Sequence, residues 1–320
     1  MSEQKKLSEL DFVDLYLGKD YAVLKGLKGS PNSTDPAPEY LKPVLEHLRG
    51  QCRFLVTTEK DPEFSIAHEG VMYRGTAMRD VSGTDIYTLR RSTAKVRALN
   101  KIGIHPGVLL PLLDQNLKGL VLIAGETGAG KTSTAVAILR ARLERLGGIA
   151  IAIEDPPEVP LNGPVGIGRC MQIRASRRTG GYKEHLTRSL RANPDMIFLG
   201  EVREEAAARE VVEASLNGHL IISTVHAGGV VATIERLASL ASGNGPTAPT
   251  FNKLANGLQA VIWQALERDA GQVRFRYEAL SLIGPDSMGA RSKLQSGNIR
   301  GIAQDIEQQM LKLKNAPIRK

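Results

Sequence analysis

Residues 125–132, Gly-Glu-Thr-Gly-Ala-Gly-Lys-Thr, have the spacing G-x-x-x-x-G-K-S/T of a loop that wraps a polyphosphate. Such a loop aims backbone N–H groups inward at dihedrals that a Cβ often forbids. Gly125, Gly128 and Gly130 answer that need, while Glu126, Thr127 and Ala129 fill the variable positions. Lys131 supplies a point charge for the β- and γ-phosphates and Thr132 offers a hydroxyl to Mg²⁺. Ser133 follows in a helix whose positive end faces the anion. The pattern alone also occurs in ordinary Gly-rich turns. Here residues 120–124 form a short apolar run of strand length, and Val136, Leu139, Leu143 and Leu146 then recur at three- and four-residue spacing, so the order is strand, loop, helix.

Three later apolar runs end in polar chemistry. Residues 149–153 lead into Glu154-Asp155-Pro156-Pro157-Glu158, residues 196–199 into Gly200-Glu201-Val202-Arg203, and residues 220–222 into Ser223-Thr224-Val225-His226. In open parallel sheets ligands bind beyond the carboxyl ends of the strands, so these tips are expected to converge on a nucleotide held by Lys131. Glu201 is expected to organise Mg²⁺ together with Thr132, although Gly200 stands where such acids often follow an Asp. Glu158 can orient or deprotonate an attacking water, and phosphoryl transfer asks mainly for positioning and charge stabilisation. His226, at a polar strand tip, suits a hydrogen bond to the γ-phosphate, whereas His219 opens the same strand and reads equally well as structural. Arg174, Arg177, Arg178, Arg188, Arg191 and Arg203 are expected to crowd around the strand entry at Pro194-Asp195. Arg174 and Arg203 are the two favoured to stabilise transition-state charge, in trans where the geometry allows.

The elements that must position these groups fall into two domains. Residues 7–17 read as either helix or strand, residues 29–38 as a loop, and Leu41, Val44, Leu45 and Leu48 as one face of a helix. Residues 53–57, 65–67, 71–78 and 85–90 read as short strands, giving a small α+β domain over 1–91. A connector over 92–107 carries a short helix and a His105-Pro106-Gly107 turn. The second domain, 108–320, is expected to be an α/β unit with a mostly parallel sheet. It contains a helix over 206–216, and from about 240 a mainly helical portion with one half-buried strand at 273–278 and a terminal helix over 302–313.

The bulk properties of the 320-residue chain narrow the partners. A 42% hydrophobic content fills a core, and 4% aromatics argues against a base-stacking platform. A net charge of +8 suits phosphates, anionic headgroups or nucleic acid, or merely solubility. Cys52 and Cys170 are the only cysteines, far apart and without a C-x-x-C pair, which argues against a structural zinc site and gives no sign of a disulfide framework. The first residues lack an apolar core of a leader, and no run of about 18 apolar residues occurs, so a soluble, cytoplasmic protein without a transmembrane segment is expected.

The segments GETGAGKT, AIEDPPE, RSLRANPDMIFLGEVRE and GHLIISTVHAGG resemble the four signatures of the secretion ATPases, the PilT-type pilus retraction motors and DotB-type and other type IV secretion ATPases, over about 90–240. The resemblance implies a RecA-like P-loop core that binds ATP and Mg²⁺. Lys131 and Thr132 would bind nucleotide and metal, Glu158 would be the catalytic carboxylate, Glu201 the Walker B acid, and His219 and His226 the His box; Gly200 is normal for that family. It further implies a PAS-like N-terminal domain, in which Met72-Tyr73-Arg74-Gly75 and Thr88-Leu89-Arg90-Arg91 are similar to the strands whose arginines close over the nucleotide, so Arg74 and Arg90 are candidates for that clamp. Extension motors usually carry a four-cysteine zinc insertion that this chain cannot make, which favours a retraction-type or secretion and conjugation motor. A homo-hexamer working on an inner-membrane platform protein is the implied assembly. The rivals are a nucleic-acid translocating or packaging ATPase, prompted by the basic charge, and a nucleotide-gated scaffold with negligible turnover.

Overall fold

The structure is a computed structural model that describes residues 5–94, 96–243, 245–269 and 272–315, without the side chains of Arg177 and Arg268. Residues 1–4 and the Arg177 side chain, both used in the sequence reading, lie outside the described residues. The chain forms two compact units, one of Met1–Lys95 with Pro156–Pro160 and one of Val96–Asp155 with Leu161–Lys320.

In the first unit, β1 (Asp14–Leu17), β2 (Ala22–Lys25), β3 (Thr34–Pro36), β4 (Glu63–His68), β5 (Val71–Arg79) and β6 (Asp85–Arg91) make one antiparallel sheet in the order β3-β2-β1-β6-β5-β4. Side chains of one face, among them Leu15, Leu17, Leu24, Phe64, Tyr73, Tyr87 and Leu89, are buried with Leu45, Leu48 and Cys52 of α1 (Lys42–Glu59) in one apolar cluster. Residues 53–57, expected as a strand, are the last turns of α1. The apolar face of Leu45, Leu48 and Cys52 continues into this stretch through the partly buried Leu55 and Val56, and the β-branched Val56 and Thr57 express only a local preference that packing overrides. Residues 7–17 hold both of their alternatives, a single 3₁₀ turn at Leu7–Glu9 and then β1.

The second unit is an α/β layer structure. Its sheet contains β7 (Gly119–Ala124), β8 (Ile149–Glu154), β9 (Gly163–Val165), β10 (Gly168–Arg174), β11 (Met196–Leu199), β12 (Leu220–Val225), β13 (Leu258–Asp269) and β14 (Gln272–Ser281), ordered β14-β13-β7-β12-β11-β8-β10-β9. From β13 to β10 every neighbouring pair is parallel, and antiparallel β14 and β9 close the two edges. The helices are α2 (Pro106–Leu109), α3 (Lys131–Leu146), α4 (Gly181–Arg191), α5 (Glu205–Leu216), α6 (Val230–Ser242), α7 (Ala248–Gly257), α8 (Met288–Gln295) and α9 (Ile302–Asn315). Every residue of β7, β11 and β12 is buried. Central parallel strands covered on both faces read as continuous apolar runs, which is why the sequence displays them without alternation. The portion beyond 240 adds two long strands to its helices, and β13 lies directly beside β7.

Cys52 and Cys170 are free, buried thiols, and burial pushes both up to about 12. Because the thiolate is the nucleophile, neither is expected to react with a thiol reagent at pH 8 in the folded chain, and both should titrate in denaturant. A thiol that titrates at once in the native protein would mark its packing as loose. Among the described residues no helix is long and apolar enough to cross a membrane.

Candidate active site

β7 delivers residues 125–130 to the start of α3, so strand, loop and helix follow one another without insertion. At Gly125 the φ is 150°, and a Cβ there would lie 2.2 Å from the Gln264 carbonyl oxygen, so β13 approaches the loop at a separation only glycine permits. Glu126, Thr127 and Gly128 are exposed, Ala129 is buried, and Gly130, Lys131, Thr132 and Ser133 are half-buried. Thr132 and Ser133 occupy the first turn of α3, where backbone N–H groups lack intrahelical acceptors and the helix dipole favours an anion. The Lys131 ammonium donates to the carbonyls of Gly125 and Glu126, each at 2.9 Å, which keeps the charge over the rim of its own loop.

Sequence reasoning missed Gln264. This residue of β13 is 1% exposed; its Nε2 donates to the Ala129 carbonyl at 2.5 Å and its Oε1 accepts from the Thr134 hydroxyl at 2.7 Å. A polar residue inside an apolar strand next to the loop was the available signal. The contact partners, however, lie 130 and 135 positions away in sequence.

Parallel register lines up the carboxyl ends of the strands along one edge of the sheet: the phosphate loop after β7, His226 after β12, Glu201 after β11, Glu154 and Asp155 at β8, and Arg174 at β10. Neighbouring strands are about 4.8 Å apart, so the His226 strand borders the loop and the Glu201 strand is the next one out, roughly 10 Å away. His226 is exposed and Glu201 half-buried. His219 precedes β12, at the opposite end of the sheet and roughly 20 Å from His226 by strand rise. Its backbone carbonyl accepts from the Gly119 N–H.

Behind Glu201 the acidic tips are tied together by residues the motif reading did not name. The Tyr182 hydroxyl accepts from the Asp155 N–H at 3.0 Å, and burial pushes this phenol up to about 12, so it stays protonated at neutral pH. A Cβ on Gly200 would come within 3.3 Å of both the Tyr182 hydroxyl of α4 and the Glu154 side chain at the end of β8, so a larger residue there would press on this junction. Glu154, 2% exposed, accepts from Gln172 Nε2 at 2.7 Å, while Gln172 Oε1 accepts from the Leu161 N–H at 3.1 Å. Glu158 itself is exposed, on irregular chain between these two anchors, in the Pro156–Pro160 stretch that groups with the N-terminal unit.

Of the arginines expected at the entry of β11, Arg188 and Arg191 stand at the end of α4 just before it, whereas Arg174 and Arg203 lie at the opposite edge of the sheet. Arg174 ends β10, paired in register with Glu154, with its Nε 3.9 Å from Asp155, and so stands at the opposite, carboxyl edge of the sheet. Sequence distance misled here because residues 168–174 are a strand that returns parallel to β8, not a lead-in to β11. Arg203 lies between Glu201, at 3.4 Å, and the face of Tyr182, with its guanidinium 6.0 Å from the ring centroid. Arg188 and Arg191 fall in the last turns of α4, where cations suit the helix dipole, and Arg188 pairs with Glu184 at 2.7 Å. Asp195 at the β11 entry instead accepts from the Ile149 N–H at 2.7 Å.

In the N-terminal unit, Arg74 and Arg90 are direct cross-strand partners on β5 and β6. Like charges so placed repel, and each has an acid to offset this. Asp14, 2% exposed and opposite Arg90 on β1, takes a bidentate contact at 2.8 and 3.1 Å that holds the guanidinium above its usual range, and Glu63 lies 3.7 Å from Arg74. Both arginine heads remain more than half exposed.

The sequence matches the type II/IV secretion system protein family over residues 76–298, more than half of the chain. The type II secretion system protein HxcR of Pseudomonas aeruginosa is 38% identical over 145 residues, 44% of this chain and 29% of that protein. The type IV pilus retraction ATPase PilT of the same organism is 29% identical over 214 residues, 66% of this chain and 60% of that protein. The chain thus spans less than two thirds of either relative. The crystal structure of the pilus retraction motor PilT with bound ADP matches with a TM-score of 0.71 at 22% identity, over 98% of this chain and 92% of that one, which is a likeness of fold. Family match and shared architecture lead to one conclusion: the chain belongs to the type II/IV secretion system protein family, the secretion ATPases.

Proposed function

We propose that the chain is a Mg²⁺-dependent ATP-hydrolysing motor, a homo-hexamer docked on a platform protein at the cytoplasmic face of the inner membrane. It would serve a retraction-type type IV pilus or a type IV secretion or conjugation machine. The observation that carries this reading is the sheet edge on which the phosphate loop, His226 and Glu201 follow one another on adjacent strands. Backbone N–H groups of residues 125–130 and Lys131 hold the triphosphate. Among the described residues no group of three or more His, Cys, Asp or Glu side chains could hold a metal by itself. The Thr132 hydroxyl in the first turn of α3 and the half-buried Glu201 carboxylate are oxygen donors, a sparse set that suits Mg²⁺, which keeps several waters and leans on substrate phosphates. Thr132 and Glu201 would hold it, and when bound it would supply positive charge to offset that of the phosphates. Glu158 takes the proton of the attacking water, His226 reads the γ-phosphate, and Arg174, Arg203, Arg74 and Arg90 are the cations available to the transferring group.

Phosphate release by the purified chain is expected to require Mg²⁺ and to stop with EDTA, and native mass in a non-hydrolysable ATP analogue is expected at six subunits. A stable monomer under those conditions overturns the ring. Stimulation of hydrolysis by DNA, falling steeply with salt, would instead assign the chain to nucleic-acid translocation.

A further inference from the structure

We infer that Gln264 is a positioning residue of the phosphate loop, so that ATP affinity depends on a carboxamide contributed from β13, outside the four sequence signatures; this rests on the loop being the ATP site. Three observations meet at this one side chain and its backbone. Its carbonyl stands 2.2 Å from where a Gly125 Cβ would be, at the beginning of the loop. Its Nε2 donates to Ala129, at the end of the loop, and its Oε1 accepts from Thr134, in the first turn of α3. With the residue 1% exposed, water cannot substitute for either hydrogen bond. The carboxamide uses one end as donor and the other as acceptor. It thereby fixes the distance between the Ala129 carbonyl, near the end of the loop, and the helix whose first N–H groups would face the anion. The same residue is the register partner of Tyr277 on β14, whose hydroxyl accepts from the His105 N–H at 3.2 Å, so β13 itself is held in place from its far side.

Chemistry separates this role from mere packing. Gln264→Leu keeps the volume and loses both hydrogen bonds. Gln264→Glu keeps the shape, but only its protonated carboxyl can donate to the Ala129 carbonyl; ionised, it sets a negative charge against that oxygen. Burial raises the pKa of a carboxyl, so the variant should cross between these states above the usual carboxylate range. A fluorescent ATP analogue with Mg²⁺, titrated against the full-length chain, reads the effect. Gln264→Leu is expected to weaken binding about tenfold, the scale of a lost buried hydrogen bond. Gln264→Glu is expected to bind close to wild type at pH 5.5 and progressively worse towards pH 8, expressed as a ratio to wild type at each pH. Thr134→Val, which removes only the hydroxyl partner, carries the test if Gln264→Leu fails to fold, and is expected to lose affinity several-fold.

Folding of each variant is checked by circular dichroism and by protection of the two buried thiols. Folded Gln264→Leu and Thr134→Val variants that bind within twofold of wild type, or a Gln264→Glu ratio flat in pH, would overturn the inference alone. A folded wild-type chain that binds no nucleotide would overturn the reading of the site, and this inference with it.

Discussion

Lys131→Ala should reduce ATP turnover at least about a hundredfold, the scale on which preorganised charge at a transferring group contributes, and should weaken nucleotide binding in the same assay. Two separate losses add here. In the proposed function the ammonium is the point charge that the loop presents to the outer phosphates. It is also the donor to the Gly125 and Glu126 carbonyls, so its removal frees the front of the loop as well as discharging it. Lys131→Arg keeps the charge but replaces a compact ammonium with a planar fork whose geometry differs, so it should restore binding more than turnover. Steady-state phosphate release beside titration of a fluorescent nucleotide checks both parts. Turnover of Lys131→Ala within tenfold of wild type would remove the loop from the reaction.

The legibility of this site in sequence follows the range of its contacts. The phosphate loop was readable because all it needs is local: a run of strand length, glycines at fixed offsets, and a helix that starts at Lys131. Glu201 and His226 were readable as strand tips because β11 and β12 are buried on both faces and end abruptly in polar residues. Gln264 was not, since its partners belong to the opposite end of the domain sequence and its strand, Leu258–Asp269, mixes Gln and Glu among the apolar residues. Arg174 was misplaced for a related reason: Gly168–Arg174 has no apolar run to announce a strand, and only pairing with β8 gives it a direction. Tyr182 and Gln172, which brace the acidic tips, carry no motif at all. In the N-terminal unit residues 53–57 read as strand where a continuing apolar face made helix. Local chemistry was therefore legible, and the neighbours that hold it in place were not.

Glu158→Gln should have the opposite signature from the lysine variant, with turnover reduced roughly 10²- to 10⁴-fold, as for loss of a general base, and nucleotide binding retained. The substitution changes one oxygen for an amide on an exposed side chain, so stability should not move. What makes this carboxylate a candidate to hold a water in place is the stiffness of its loop. Pro156, Pro157 and Pro160 fix three φ angles around it. The strand side is anchored where the Asp155 N–H meets Tyr182, and the far side where the Leu161 N–H meets Gln172, whose other end grips buried Glu154. A segment pinned at both ends and stiffened by proline loses little further entropy in presenting its side chain, which is the economy that positioning of a nucleophile requires. Single-turnover phosphate release, measured beside nucleotide affinity, separates the two variants: a slow chemical step with intact binding for Glu158→Gln, and impaired binding for Lys131→Ala. Near-wild-type turnover of Glu158→Gln would reassign the base to another acid on the edge, with Glu201 the first to substitute because its strand tip lies nearer the phosphate loop than the β8 strand from which Glu158 extends.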